Sequence, residues 1–183
     1  MSVYGPIRNI IDATADLSCD PSADMKRAVD YLLEVKAKRN RVYFIGNGAS
    51  ASIASHMAAD FLKAGGIAAQ CFTDGALTTC LGNDLGYERI FEVPIAAHAR
   101  KGDLLVAISS SGESENILRG VDAAYHAGCY VITLSGMKPA NRLRNRGDVS
   151  FYVPSDRYGT VEVCHHAICH AILDLVIDGA KPS

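Results

Sequence analysis

The 183-residue chain lacks any long run of lysine or arginine, and its net charge is −2. Neutralising phosphates along a nucleic acid needs a basic face, so nucleic acid is excluded as a main partner. The short cluster Arg142, Arg144 and Arg146 reads as a solvated surface. No apolar stretch reaches the ~18–20 residues needed to span a bilayer, which speaks against a membrane partner. The opening MSVYGPIRNIIDATADLS interleaves charges as a helix does and lacks the form of a signal peptide. No C-x-x-C pair occurs among Cys19, Cys71, Cys80, Cys129, Cys164 and Cys169. Several of these lie inside apolar runs and behave as small buried hydrophobes, so a reduced cytoplasm is the simplest compartment. Repeats, linkers and low-complexity segments are absent too.

What is present is enough apolar character for a packed core. Apolar residues make up 49% of the chain, as in a folded globular protein, and the length suits one domain spanning residues 1–183. Helical periodicity comes first, near 4–17 and 22–38. The period then switches. Strand-like runs fall at 41–45, 68–72, 103–108, 129–134 and 149–153, separated by helical patterns near 50–63, 87–99, 113–126 and 160–178. This alternation predicts βαβ units and a parallel sheet covered on both faces. The expected architecture is therefore α/β, a three-layer sandwich around a five-stranded parallel sheet with added N-terminal helices.

In such sheets ligands bind beyond the carboxyl ends of the strands. Two loops there have suitable chemistry. Gly46-Asn47-Gly48-Ala49-Ser50 follows the first strand, and its glycines allow close backbone approach. It does not continue as a dinucleotide fingerprint, so no nucleotide cofactor is expected. Ser109-Ser110-Ser111-Gly112-Glu113-Ser114 follows the third strand. Hydroxyls and free N–H groups at a helix N-terminus make an anion site. Four serines in six residues exceed what capping needs. The lysine of a nucleotide P-loop is missing, and a neutral, hydroxyl-lined site suits a sugar phosphate monoester.

Histidines and carboxylates lie close by in sequence. His56 and Asp60 are i and i+4 on one helix face. Glu162, His166 and His170 recur at i, i+4 and i+8 on the last helix. Side chains on one stripe of each of two helices can converge on a common site. Aldose–ketose interconversion moves a proton between adjacent carbons through an enediol. It needs a carboxylate base, a proton donor and exclusion of water.

The segments "FIGNGASAS", "AISSSGESENIL" and "VITLSG" resemble the sugar-isomerase (SIS) domain. Within that family, GNGAS with H-x-x-x-D, "LGNDLGYERIF" and the C-terminal E-x-x-x-H-x-x-x-H helix look like the phosphoheptose isomerases. The resemblance runs from about residue 30 to 178. It implies a flavodoxin-like SIS fold, a homotetramer, and conversion of sedoheptulose 7-phosphate to a heptose 7-phosphate. It also implies substrate contacts at Asn47, Gly48, Ala49, Ser50, Asn83, Asp84, Ser109, Ser110, Ser111, Ser114 and Glu162. At the positions His56, Asp60, Glu162 and His170 the family holds a divalent metal, commonly zinc, and supplies the base and acid. His165 and His166 are extra candidates. The N-terminal part, 1–38, is expected to serve oligomerisation through Ile7, Ile10, Ile11 and Leu17.

Two departures stand out. The family usually has Glu where this chain has Asp60, and Gln where it has Glu162. A shorter carboxylate displaces a base by about 1 Å, enough to cost rate, while Glu162 adds charge to a metal site. Position favours Asp60 as base and His170 as acid, with Glu162 tuning the metal or His170. Cα atoms eight residues apart on a helix lie ~12 Å apart. Glu162 and His170 therefore share an ion only if the helix starts after Glu162 or another subunit contributes. The alternatives are an isomerase of another ketose phosphate, or a non-catalytic SIS module that binds a sugar phosphate or a replication initiator.

Overall fold

Five apolar runs become five parallel strands in the computed structural model, which describes residues 21–179. The helix expected at 4–17, with Ile7, Ile10, Ile11, Leu17 and Cys19, lies outside the described residues. The elements are α1 (Pro21–Ala37), β1 (Arg41–Gly46), α2 (Ala49–Lys63), β2 (Ala68–Cys71), α3 (Gly75–Leu85), a 3₁₀ turn (Tyr87–Arg89), α4 (Glu92–His98), β3 (Leu104–Ser109), α5 (Glu115–Ala127), β4 (Tyr130–Gly136), β5 (Val149–Val153) and α6 (Tyr158–Gly179). The sheet order is β2-β1-β3-β4-β5. Val42 pairs with Leu104, Ile45 with Ala107, and Ile132 with Val149.

Side chains alternate across a strand, and here both faces are apolar because both are covered. Val42, Phe44, Leu104, Val106, Ile132 and Phe151 pack under α1, α2 and α6. Tyr43, Ile45, Leu105, Ala107 and Val131 pack under α4 and α5. Buried Asp103 ties down the strand starts by accepting from the backbone N–H of Arg41 (2.9 Å) and of Arg100 (2.8 Å). Helix α6 is long and apolar enough to cross a membrane by length and composition, although no such stretch was expected. Its apolar residues follow a helical period that faces the core: Val161, Cys164, Ile168, Cys169, Ile172, Leu173 and Val176 are buried.

Two expectations needed correction. The helix expected at 87–99 is a 3₁₀ turn followed by the short α4, because Gly86 turns the chain at φ 93° and Phe91 breaks the ladder before Glu92. Helix α3 was not expected at all. None of its residues is fully buried; only Leu77 and Leu81 lean on the core under α4 and α5, too short an apolar stripe to read. Its start is fixed by Asp74, which accepts from the Leu77 N–H at 2.9 Å. The strand order switches direction between β1 and β3, and α2 and α5 leave those strands on opposite faces. That junction is where an open α/β sheet forms a crevice, and both candidate loops lie on it.

Candidate active site

The glycine turn leads out of β1 into α2. A Cβ on Gly46 would stand 2.5 Å from the Ser50 carbonyl, so only glycine lets the first turn of α2 close onto the strand end. Asn47 then faces Asn116 of α5. Each amide donates to the other at 2.9 Å, and the Tyr87 hydroxyl donates to the same Asn47 oxygen at 3.1 Å. This reciprocal pair clamps the β1 and β3 loops across the crevice.

The serine loop leads out of β3 into α5. Ser109 and Ser110 are buried. The Gly112 N–H donates to the Ser109 hydroxyl oxygen (3.2 Å) and the Glu113 N–H to that of Ser111 (3.2 Å). Both oxygens thus act as acceptors; the Ser109 hydroxyl donates weakly to that of Ser114 (3.5 Å), and the Ser111 proton is left to donate to an anion. Gly112 sits at φ 66° with the Asn141 side chain where a Cβ would be. Asn141, fully buried, donates to the carbonyls of Gly136 (3.1 Å) and Lys138 (2.8 Å) and accepts from the Arg144 N–H (2.9 Å). The Leu143 N–H donates to the Gly112 carbonyl at 3.0 Å. The loop is therefore buttressed from beneath. Above it a cavity of ≈190 Å³ is lined by Asn47, Ser50, Ile108, Ser109, Ser110, Ser111, Ser114, Tyr158 and Glu162. Its lining carries no lysine or arginine, and its positive pole is the N-terminus of α5.

Beside it a second cavity, ≈370 Å³, is lined by Ala49, Ile53, Glu162, Val163, His166, Ala167 and His170. Glu162, near the start of α6, lines both. His166 and His170 follow it on the half-buried edge of α6, and His56 approaches from α2. Ring centroids are 5.0 Å apart for His56 and His166, 5.4 Å for His56 and His170, and 4.7 Å for His166 and His170. One donor nitrogen of each lies within 4.8 Å of the others. His56 Nε2 is 3.0 Å from Asp60 Oδ2. Burial, then the charges of His170 and His56, lower the pKa of His166, with Asp60 opposing. Its Nε2 is buried and has no hydrogen-bond partner.

Most of the expected residues meet here, with three corrections. His165 is fully buried beneath the sheet, its Nε2 3.1 Å from the Ser135 carbonyl; burial pushes its pKa down to about 4 against that bond. It is a core residue, because α6 rotates it 100° away from His166. Of the four expected metal ligands, Glu162 and Asp60 stand outside the histidine set: α6 already begins at Tyr158, and Asp60 pairs with His56. Asn83 and Asp84 sit exposed on α3 and line neither cavity; the Asn83 amide donates to Asp84 at 2.7 Å. Asn116, Asn141 and Tyr158 were not expected. Their signal is confined to single residues with no period or motif. A larger cavity, ≈470 Å³, lies between α4 and α5, where Arg119 is paired with Glu92 and Glu115 and Asp122 with Arg146.

The SIS domain family matches residues 7–136. The phosphoheptose isomerase of Bordetella avium is 36% identical over 163 residues, covering 84% of this chain and 82% of that one. That of Rhodospirillum rubrum is 37% identical, with 75% and 76% covered. The solved structure of phosphoheptose isomerase GmhA from Neisseria gonorrhoeae superposes with a TM-score of 0.87 at 30% identity, covering 97% of each chain.

Proposed function

This chain belongs to the SIS-domain family, in its phosphoheptose isomerase group, and from that premise we infer that it is an aldose–ketose isomerase converting sedoheptulose 7-phosphate to D-glycero-D-manno-heptose 7-phosphate. The product would feed synthesis of a heptose-containing glycan or lipopolysaccharide. The observation that carries the reading is the joining of the two cavities by Glu162. A hydroxyl-lined anion site and a cluster of acid–base groups then address the two ends of one extended sugar phosphate.

The phosphate sits in the serine cavity, held by Ser109, Ser110, Ser111 and Ser114 and by the α5 N-terminus. Asn47 and Ser50 line the same cavity and Ala49 lines the histidine cavity, with Gly48 between them in the turn that joins the two. The arrangement supports Glu162 over Asp60 as the base, because Glu162 faces both cavities while the Asp60 carboxylate is engaged by His56. Glu162 takes the proton from C1 of the ketose and returns it to C2 of the enediol. His170 moves the proton between the two oxygens. Asp60 orients His56. The cluster fits a divalent cation, zinc in this proposal: three imidazoles converge and one buried nitrogen is unpartnered. Bound there, such an ion would act as a Lewis acid on the carbonyl and hydroxyl oxygens.

We further propose a cytoplasmic homotetramer built through residues 1–38. Exposed Leu62, Val163 and Leu175 on α2 and α6 support burial of these helices between subunits, and light scattering showing a monomer at micromolar concentration would contradict it. The activity is tested by incubating the purified protein with sedoheptulose 7-phosphate and a panel of other ketose phosphates in deuterated water. NMR should show heptose 7-phosphate formed, with deuterium at C2 in the fraction of turnovers in which the proton held by Glu162 exchanges with solvent before its return. Turnover of a different ketose alone would transfer the reading to that sugar.

A further inference from the structure

We propose that His166 is a metal ligand in this chain, forming a three-histidine face with His56 and His170, and that Glu162 is not. The proposal deepens the isomerase reading and rests on it for the presence of the ion. On the last helix His166 stands between Glu162 and His170, one turn from each. A side chain at that place occupies the stretch of helix face that Glu162 would have to cross to meet His170. Within one subunit Glu162 is about 12 Å along the axis from His170, and His166 about 6 Å.

The contacts agree with that placement. Nitrogens of His56, His166 and His170 lie within 4.8 Å of one another, close enough for side-chain rotation to bring them to one ion with bonds of about 2.0–2.1 Å. The rings stand at different tilts, 86° between His56 and His166 and 35° between His166 and His170, so their nitrogens face one space from different sides. His166 Nε2 is buried without a partner, and a buried polar atom left unpaired is disfavoured. An ion supplies the missing partner. The Asp60 carboxylate, 3.0 Å from His56 Nε2, is placed to fix the orientation of that ring, as carboxylates beside metal-bound histidines do. Three neutral imidazoles leave the ion its full positive charge and an open position for substrate oxygens, and Glu162 stays free to face the sugar.

The test uses full-length protein loaded with cobalt(II), read by proton NMR and by equilibrium metal titration. Paramagnetically shifted exchangeable imidazole signals should number three in the wild type and two in His166→Gln. Affinity should fall about 100-fold or more in His166→Gln and stay within about threefold in Glu162→Gln. Circular dichroism melts confirm that both variants are folded, and His166→Cys, which restores a donor, should recover most of the affinity. Two shifted imidazoles in the wild type, an unchanged affinity in His166→Gln, a 100-fold loss in Glu162→Gln, or no metal bound at all would each overturn the proposal. Turnover is assayed separately on the wild type. Three bound imidazoles without isomerisation overturn the functional reading alone, while isomerisation with two overturns the donor set alone.

Discussion

Around the serine loop, polar groups answer one another inside the protein. The hydroxyl oxygens of Ser109 and Ser111 accept backbone N–H groups, Asn47 and Asn116 exchange amides, and Asn141 props the loop from below. Around the three histidines the described residues supply the His56–Asp60 pair and leave His166 Nε2 without a partner. His56 is half exposed, whereas Ser109 and Ser110 are buried. One end of the crevice is therefore preorganised by internal hydrogen bonds, and at the other three imidazoles converge with few internal partners. Preorganised contacts to a phosphate far from the reacting carbons hold ground state and transition state alike, so they set KM. Contacts at the reacting carbons are made in the transition state and set kcat.

The largest break in this division should come from the base. Glu162→Gln is expected to lower kcat by about 10²–10⁴-fold and abolish exchange of the C1 proton in deuterated water, since an amide cannot take that proton. Its KM should hardly move. Asp60→Asn, which loses only the orientation of His56, should cost about 10–100-fold. The reverse order would hand the base to Asp60. Next comes chelation. Removing a divalent ion should cut turnover about 100-fold or more, while competitive inhibition by inorganic phosphate stays within about twofold. Loss of phosphate binding on chelation would mean the two ends are not independent.

At the phosphate end, Ser111→Ala and Ser109→Ala should each raise KM about tenfold or more. A hydrogen bond to a charged group contributes about 1.5–3 kcal/mol. A large fall in kcat at constant KM would place the phosphate elsewhere. Asn141→Ala should act through the same loop at one remove. It strips the Gly136 and Lys138 carbonyls of a buried donor, costs about 1–3 kcal/mol by urea titration, and raises KM only a few-fold. An unchanged KM in a clearly destabilised Asn141→Ala would mean the loop holds its shape unaided.

The same contrast explains what could be read from the sequence. β1, β3 and β4 are doubly buried, so their apolar runs betrayed them to within a residue or two. The serine loop is contiguous, so its cluster of hydroxyls at a helix N-terminus was legible. Helix α3 was hidden because it only half buries two leucines, Leu77 and Leu81. The histidine cluster was half legible: the spacing of His166 and His170 puts them on one stripe, but which neighbour His56 meets depends on how α2 crosses α6, a property of packing between segments about 110 residues apart. Asn141 and Asn116 could not be found. Each is a single buried amide whose partners lie in other segments, and no local pattern marks it.

The smallest effect is expected from the arginine cluster beside the serine loop, and it bears on why that cavity is neutral. A guanidinium is the usual partner for a phosphate, and Arg142 lies next in sequence to Asn141, the loop's prop. The structure turns it elsewhere. Its Nη1 donates to Glu115 Oε2 at 3.0 Å, and its backbone N–H donates to Glu113 Oε1 at 3.1 Å. The hydrogen bond from Arg142 is the main cause holding the Glu115 carboxyl below its usual pKa, with Arg119 adding to it against desolvation. Arg146 is likewise paired with Asp122 at 2.6 Å, and Arg144 stacks 4.0 Å over the Tyr152 ring. Both partners of the Arg142 pair are about half exposed, where ion pairs contribute little. Arg142→Ala should therefore leave KM for the sugar phosphate within about twofold and the inhibition by inorganic phosphate unchanged. A tenfold rise in KM, relieved at high substrate, would show that Arg142 leaves Glu115 for the phosphate on binding. The serine end would then be completed by its ligand, as the proposed ion would complete the histidine end, and the difference between the two ends would shrink to one of degree.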